Sequence, residues 1–288
     1  MIEAATSDQG FWPWRGVCGM AALVLALSVM ALAQSSHGED DPTANQVVSG
    51  SAFGYADASG RQVLVPVESG LARRMKGFRK AVAAPGRVVT LAYTEARHGI
   101  DADMGRQTSE HFAGTSGAVF SATETLGSGS DVLVTTDDFL ADRQVLAVTP
   151  VAPKDCGAAA RDALAARSGR AVAWCKDVAS VEGGGVVSLA RFEAKGREEL
   201  VTMAYSVSGS FLFLDFPANA DPSGTWREGD GGDFSLTSCQ PLFAFRSDAG
   251  LELSVRWSGP EGDAMDLYRQ SGNRLVPFVA ASWYRMDE

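Results

Sequence analysis

The spacing of apolar positions changes twice along the chain and divides it into three parts. An unbroken apolar run, Val17–Ala33 (VCGMAALVLALSVMALA), comes first. Residues 34–60 are polar, rich in Gly, Ser and Asp, and without period, which reads as a linker. Residues 61–288 carry the pattern of a folded domain. After the short run Val63–Val67, Leu71, Met75, Phe78 and Val82 recur at helical spacing and predict an amphipathic helix of about three turns, stopped by Pro85-Gly86. From Arg87 onward the pattern is β. Arg87–Tyr93, Gly117–Ala122, Asp131–Thr135 and Arg143–Val151 are rich in β-branched residues and bounded by turn residues. The Ala-rich segment Gly157–Ala166 is a second predicted helix. Strands then follow at Val186–Phe192, Glu199–Val207, Phe211–Phe216, Leu242–Arg246, Leu251–Trp257, Asp266–Arg269 and Leu275–Tyr284, with Lys195-Gly196 and Ser208-Gly209 as turns. Many short strands with one or two short helices predict a mostly β domain, an antiparallel barrel or a sandwich.

The first apolar run has the grammar of a secretory signal. Arg15 precedes it, Ala31-Leu32-Ala33 ends it in a small-x-small site, and the acidic stretch Gly38–Asp41 follows. A signal peptide is therefore expected over residues 1–33. The run also touches the lower length limit of a transmembrane helix, so an uncleaved inner-membrane anchor is the alternative. Either way Arg15 stays inside and the domain is exported, periplasmic or secreted. Cys18 lies at the start of the run, not at a lipoprotein position. In an oxidising compartment two of Cys156, Cys175 and Cys239 are expected to pair. Cys156 and Cys175 flank the second predicted helix and are the expected bond, leaving Cys239 over.

Composition narrows the class. Hydrophobic residues at 45% against 21% charged describe a globular chain rather than a disordered one. The net charge of −10 is repelled by phosphate backbones, so no nucleic-acid partner is expected. Arg73, Arg74, Lys76, Arg79 and Lys80 crowd the first predicted helix and read as a solvated face. Membrane contact is expected only through an uncleaved N-terminal segment.

Two clusters carry ligand-type side chains. Glu95, His98, Asp101, Asp103, Glu110 and His111 are metal-ligand types, but their spacing matches no ligand grammar and reads as a polar hairpin connection. Asp221, Glu228, Asp230 and Asp233 lack the alternation and closing Glu of a calcium loop and read as turn residues. No metal and no cofactor are expected.

One order of segments suggests a family. The stretch KAVAAPGRVVTL is followed by Gly114–Ser121 (GTSGAVFS) and by Val132–Leu140 (VLVTTDDFL). About a hundred residues later comes Leu236–Phe243 (LTSCQPLF), then Leu251–Trp257 (LELSVRW). The series resembles trypsin-like serine proteases, especially the bacterial HtrA-type branch, over residues 71–284. The resemblance implies two six-stranded antiparallel barrels with the serine position at Ser238 and the histidine position at Asp138, facing each other across their junction. It also implies that hydrolysis by the usual route is lost. Asp138 stands where the family has its general base, and a carboxylate ionised near pH 4 is poorly matched to deprotonating serine. Leu236 and Cys239 replace the glycines of the oxyanion turn.

Three functions follow as expectations. The first is an exported, non-catalytic, protease-like module that binds a peptide or protein segment. The second is a structural or adaptor β-domain of the envelope or of the secreted fraction, unrelated to proteases. The third is a hydrolase using Ser238 or Cys239 with another base, His98 and His111 being the first candidates.

The exported form is expected to begin at Gln34, and its intact mass measures this directly. A membrane-bound species that retains Met1–Ala33 would instead establish the anchor.

Overall fold

A computed structural model of the chain describes residues 46–100, 105–226, 230–259 and 262–285. The proposed signal, the first part of the linker, Asp101, Asp103 and Glu228 lie outside the described residues. Two closed β-barrels follow one another along the chain.

Barrel 1 consists of β1 (Ser51–Ala56), β2 (Gln62–Val65), β3 (Phe78–Ala83), β4 (Arg87–Arg97), β5 (Gly117–Ala122) and β6 (Asp131–Thr136). They close in the order β1-β2-β5-β4-β3-β6, every neighbour antiparallel. A short helix, α1 (Ser69–Ala72), and a 3₁₀ turn at Arg73–Gly77 bridge β2 and β3. Helix α2 (Asp137–Ala141) leads out of barrel 1, its first turn capped by the Thr136 hydroxyl, which accepts from the Phe139 N–H at 3.2 Å.

Barrel 2 has nine strands: β7 (Gln144–Asp155), β8 (Val172–Val181), β9 (Gly185–Phe192), β10 (Glu198–Val207), β11 (Ser210–Asn219), β12 (Cys239–Ser247), β13 (Gly250–Ser258), β14 (Gly262–Ser271) and β15 (Arg274–Tyr284). Each strand pairs antiparallel with its sequence neighbour except across the β11–β12 connection. Closure comes from β12 against β7 and from one parallel contact, Phe213 with Arg274, between β11 and β15. The hairpin at Ser208-Gly209 has positive φ at both residues (49° and 80°), the turn whose twist matches its strands. Helix α3 (Ala158–Ser168) packs Leu164 on the outside of barrel 2 against Phe192 and Phe213. The Cys156–Cys175 disulfide, with Cα atoms 5.5 Å apart, ties the segment leading into α3 to β8.

The two barrels pack directly on one another. Phe53, Val82 and Leu133 of barrel 1 meet Phe243, Phe245 and Leu267 of barrel 2, with Phe139 of α2 among them. Ion pairs flank this seam. Asp131, at the start of β6, accepts from Arg285 at 2.6 Å and lies 3.6 Å from Arg256. Arg143 forks onto Glu252 at 2.7 and 3.1 Å while stacking 4.1 Å from the Phe139 ring.

The mostly β double-barrel architecture is as the sequence predicts, and four details differ. The second barrel has nine strands where the resemblance implies six. The linker expected over 34–60 gives way at Ser51, because β1 is a wholly buried strand of barrel 1. Its alternation is invisible because both faces are covered: Ala52 and Ala56 fill the barrel, while Phe53 enters the seam. The helix expected over Leu71–Val82 stops at Gly77 and continues as β3. There Ala81 and Ala83 point into barrel 1 and Val82 into the seam, and pairing with β4 and β6 overrides the helical spacing. Strand β8 escaped the sequence reading because two register shifts interrupt its alternation.

Replacing both Cys156 and Cys175 by Ser is expected to lower unfolding free energy by about 3 kcal/mol, the value for closing a loop of this length. Urea unfolding followed by fluorescence measures it, and an unchanged midpoint would show that α3 is held by packing alone.

Candidate functional site: a cleft between the barrels

The positions singled out from the sequence do not assemble into one site. Asp138 lies exposed in the first turn of α2, just beyond the C-terminal end of β6. Ser238 is buried in the turn before β12, its carbonyl accepting from the Ser258 N–H at 2.8 Å. The direction of β6 keeps them apart. Asp131 at its start lies beside Arg256, which donates to Gln240 next to Cys239. At the other end Phe139 touches Phe245, far along β12. Asp138 and Ser238 therefore lie towards opposite ends of the seam. The expected facing of Asp138 and Ser238 is corrected on this geometry. The acid near the Ser238 end is Asp131.

The remaining candidates are used locally. Glu95 pairs with Arg97 at 2.9 Å, and His98 is exposed. Nδ1 of His111 lies 2.8 Å from the Thr108 hydroxyl, and the neighbouring Phe112 covers Tyr55. Asp230 accepts from the backbone N–H groups of Thr225, Trp226 and Gly232, and Asp221 accepts from Ser223. These are turn caps. Among the described residues no three His, Cys, Asp or Glu side chains are placed to hold a metal ion.

A cleft of about 650 Å³ opens instead where β7 and β12 separate. The two strands pair only from Gln144 to Ala147, opposite Phe243–Arg246. Beyond that ladder each strand turns away at a bulge: Leu242 is the extra residue of β12 against β13, and 151–153 fall out of register in β7 against β8. The tip of the β3–β4 hairpin enters the gap, where the Pro85 carbonyl accepts from the Val148 N–H at 2.6 Å. Val148–Val151 and Pro153 form one wall, and Leu236, Thr237 and Cys239–Leu242 form the other. Ser130, Asp131 and Arg256 close one end.

Burial governs the ionisable groups around this cleft. It pushes Asp131 up from the ordinary carboxylate value, opposed by the charge and hydrogen bond of Arg285 and the charge of Arg256. Burial, and then the charge of Asp266, push the Cys239 thiol far up, so it stays protonated. Asp266 shares the inner face of barrel 2 with Tyr268, whose O–H donates to it at 3.1 Å. Burial raises its pKa from 3.8 to about 6. The sequence reading missed the cleft and Asp266 alike. Pro150, Pro153 and Pro241, inside or beside predicted strands, were the available signal of open strand edges. Asp266 had none.

The raised Asp266 predicts a pH dependence. Between about pH 4 and 6 the folded chain holds a proton that the unfolded chain has released, so this group adds stability as pH falls and opposes folding above its folded pKa. Asp266→Asn, which keeps an acceptor for Tyr268, is expected to exceed the native chain in stability at pH 7.5 by roughly 2 kcal/mol. It is also expected to lose the gain seen on acidification. Urea melts across pH 4.5–7.5 test this, and parallel pH profiles for the two proteins would refute it.

No family model, no curated protein and no solved structure matches the chain.

Proposed function

We propose that the folded part of this chain is an exported, non-catalytic module that binds an extended peptide or protein segment in the cleft between its barrels. The observation that carries this reading is the parting of β7 and β12. Past Ala147 and Phe243, neither strand has the other as a partner, and the cleft lies between their edges. Open strand edges are recognised by an added strand, whose backbone supplies the missing hydrogen bonds while pockets between the edges take alternate side chains. The lining is chiefly Val, Pro, Ala and Leu, suited to a desolvated main chain and apolar side chains.

Export is supported by the signal-like N-terminus and by the Cys156–Cys175 bond, which persists in an oxidising compartment. The non-catalytic part rests on chemistry. The Cys239 thiol is held protonated, and Ser238 sits in a buried turn towards the other end of the seam from Asp138. Descent from a serine-protease ancestor remains part of the proposal, supported by the paired barrels and by the order of segments.

Titrating the isotopically labelled protein with a pool of blocked random nonapeptides is expected to shift amide resonances at Val148, Thr149, Val151, Cys239, Gln240 and Leu242. Shifts confined to other surfaces would overturn the site. No cleavage of a casein-type substrate is expected. Cleavage that Ser238→Ala or Cys239→Ala abolishes would establish a hydrolase instead.

A further inference from the structure

The cleft does not end at the outer surface of the barrels. Ala179 on β8 and Cys239 on β12 line it, yet both belong to the core of barrel 2 and are 1% exposed. The parting of β7 and β12 therefore leaves only a closed layer, Ala179 and Cys239, between the cleft and the interior of barrel 2. Val148, Val178 and Leu236 surround this opening, and each also packs in or against the barrel core. Small side chains, Ala179 and Cys239, stand at its base.

The backbone around the opening is unbalanced. Pro150, Pro153 and Pro241 have no N–H to offer, and the Val148 N–H is taken by the Pro85 carbonyl. Both walls are thus poor in donors, while the Thr149 and Thr237 carbonyls already accept from the Ser180 hydroxyl and the Gln240 amide.

Resting on the peptide-binding reading above, we propose that the cleft reads one side chain of its ligand: an uncharged aliphatic anchor that passes between β7 and β12 and packs on Ala179 and Cys239. The N–H groups of the ligand segment donate to the carbonyls of the walls. Charge selects against the alternatives. A carboxylate anchor would meet the negative field of Asp266, which already acts on Cys239 from inside the same barrel. Any charged anchor would lose its water among apolar walls. Leucine or valine fills such an opening with neither cost.

The test uses the full chain and four blocked heptapeptides, Ser-Thr-Val-X-Val-Thr-Ser, with X as Leu, Ala, Lys or Asp. Resonance titration is expected to rank Leu first, at least about tenfold above Asp and Lys, with Ala between. N-methylation of the amide at X should weaken binding. Ala179→Leu, which fills the opening, is expected to reverse the order of Leu and Ala, a change of preference that misfolding does not produce. The series on the native chain stands without that variant. Equal affinities for all four peptides, with shifts in the cleft, would overturn the anchor and leave peptide binding in place. A preference for Lys would overturn it as well, by making Asp266 the contact. Failure of all four while the random pool binds would also sink the anchor, and silence of the pool would remove both readings.

Discussion

The seam between the barrels is the constraint on which the rest of the structure depends. Several strands carry one row of side chains into their own barrel and the other row into the seam. On β14, Tyr268 faces the interior of barrel 2 while Met265 and Leu267 face the seam. On β6, Val132 and Val134 fill barrel 1 while Leu133 meets barrel 2. Burial on both faces turns these segments into near-continuous apolar runs, and each buried aromatic or aliphatic side chain contributes on the order of 1.5–3 kcal/mol. Ion pairs at the margins, Asp131 with Arg285 and Arg143 with Glu252, add little net stability once desolvation is counted.

The cleft is a consequence of the same packing. The bulge at Leu242 and the irregular stretch 151–153 release β12 and β7 from each other just past their paired residues. Barrel 1 responds by inserting the Pro85 turn into the gap and satisfying one exposed amide. Prolines at 150, 153 and 241 suit edges that cannot pair with one another, since they remove donors that would otherwise invite unspecific association.

Inside barrel 2, polar chemistry is present but restrained. Tyr268 donates to Asp266, and the charge of Asp266 in turn helps hold Cys239 as a neutral thiol. The arrangement makes Cys239 an apolar floor residue. Ser238, beside it, spends its backbone in the turn that starts β12.

Much of the fold was legible in the chain, and the site was not. The run SLARF before Lys195-Gly196, the alternating strands around Ser208-Gly209, and the Ala-rich helix between Cys156 and Cys175 all appear where the pattern places them. Local turn chemistry and period-2 alternation are written into neighbouring residues. The strand β1 and the switch from helix to strand at Phe78 were hidden, because burial on two faces erases alternation and tertiary pairing overrides spacing. The sequence by itself determined a mostly β domain, its turns, its expected disulfide and its export-like N-terminus, since each rests on residues close together in the chain. Only the tertiary structure decided which strand ends meet. Strand direction along the seam sends Asp138 away from Ser238, and two bulges open β7 from β12, so the cleft depends on contacts between residues a hundred positions apart.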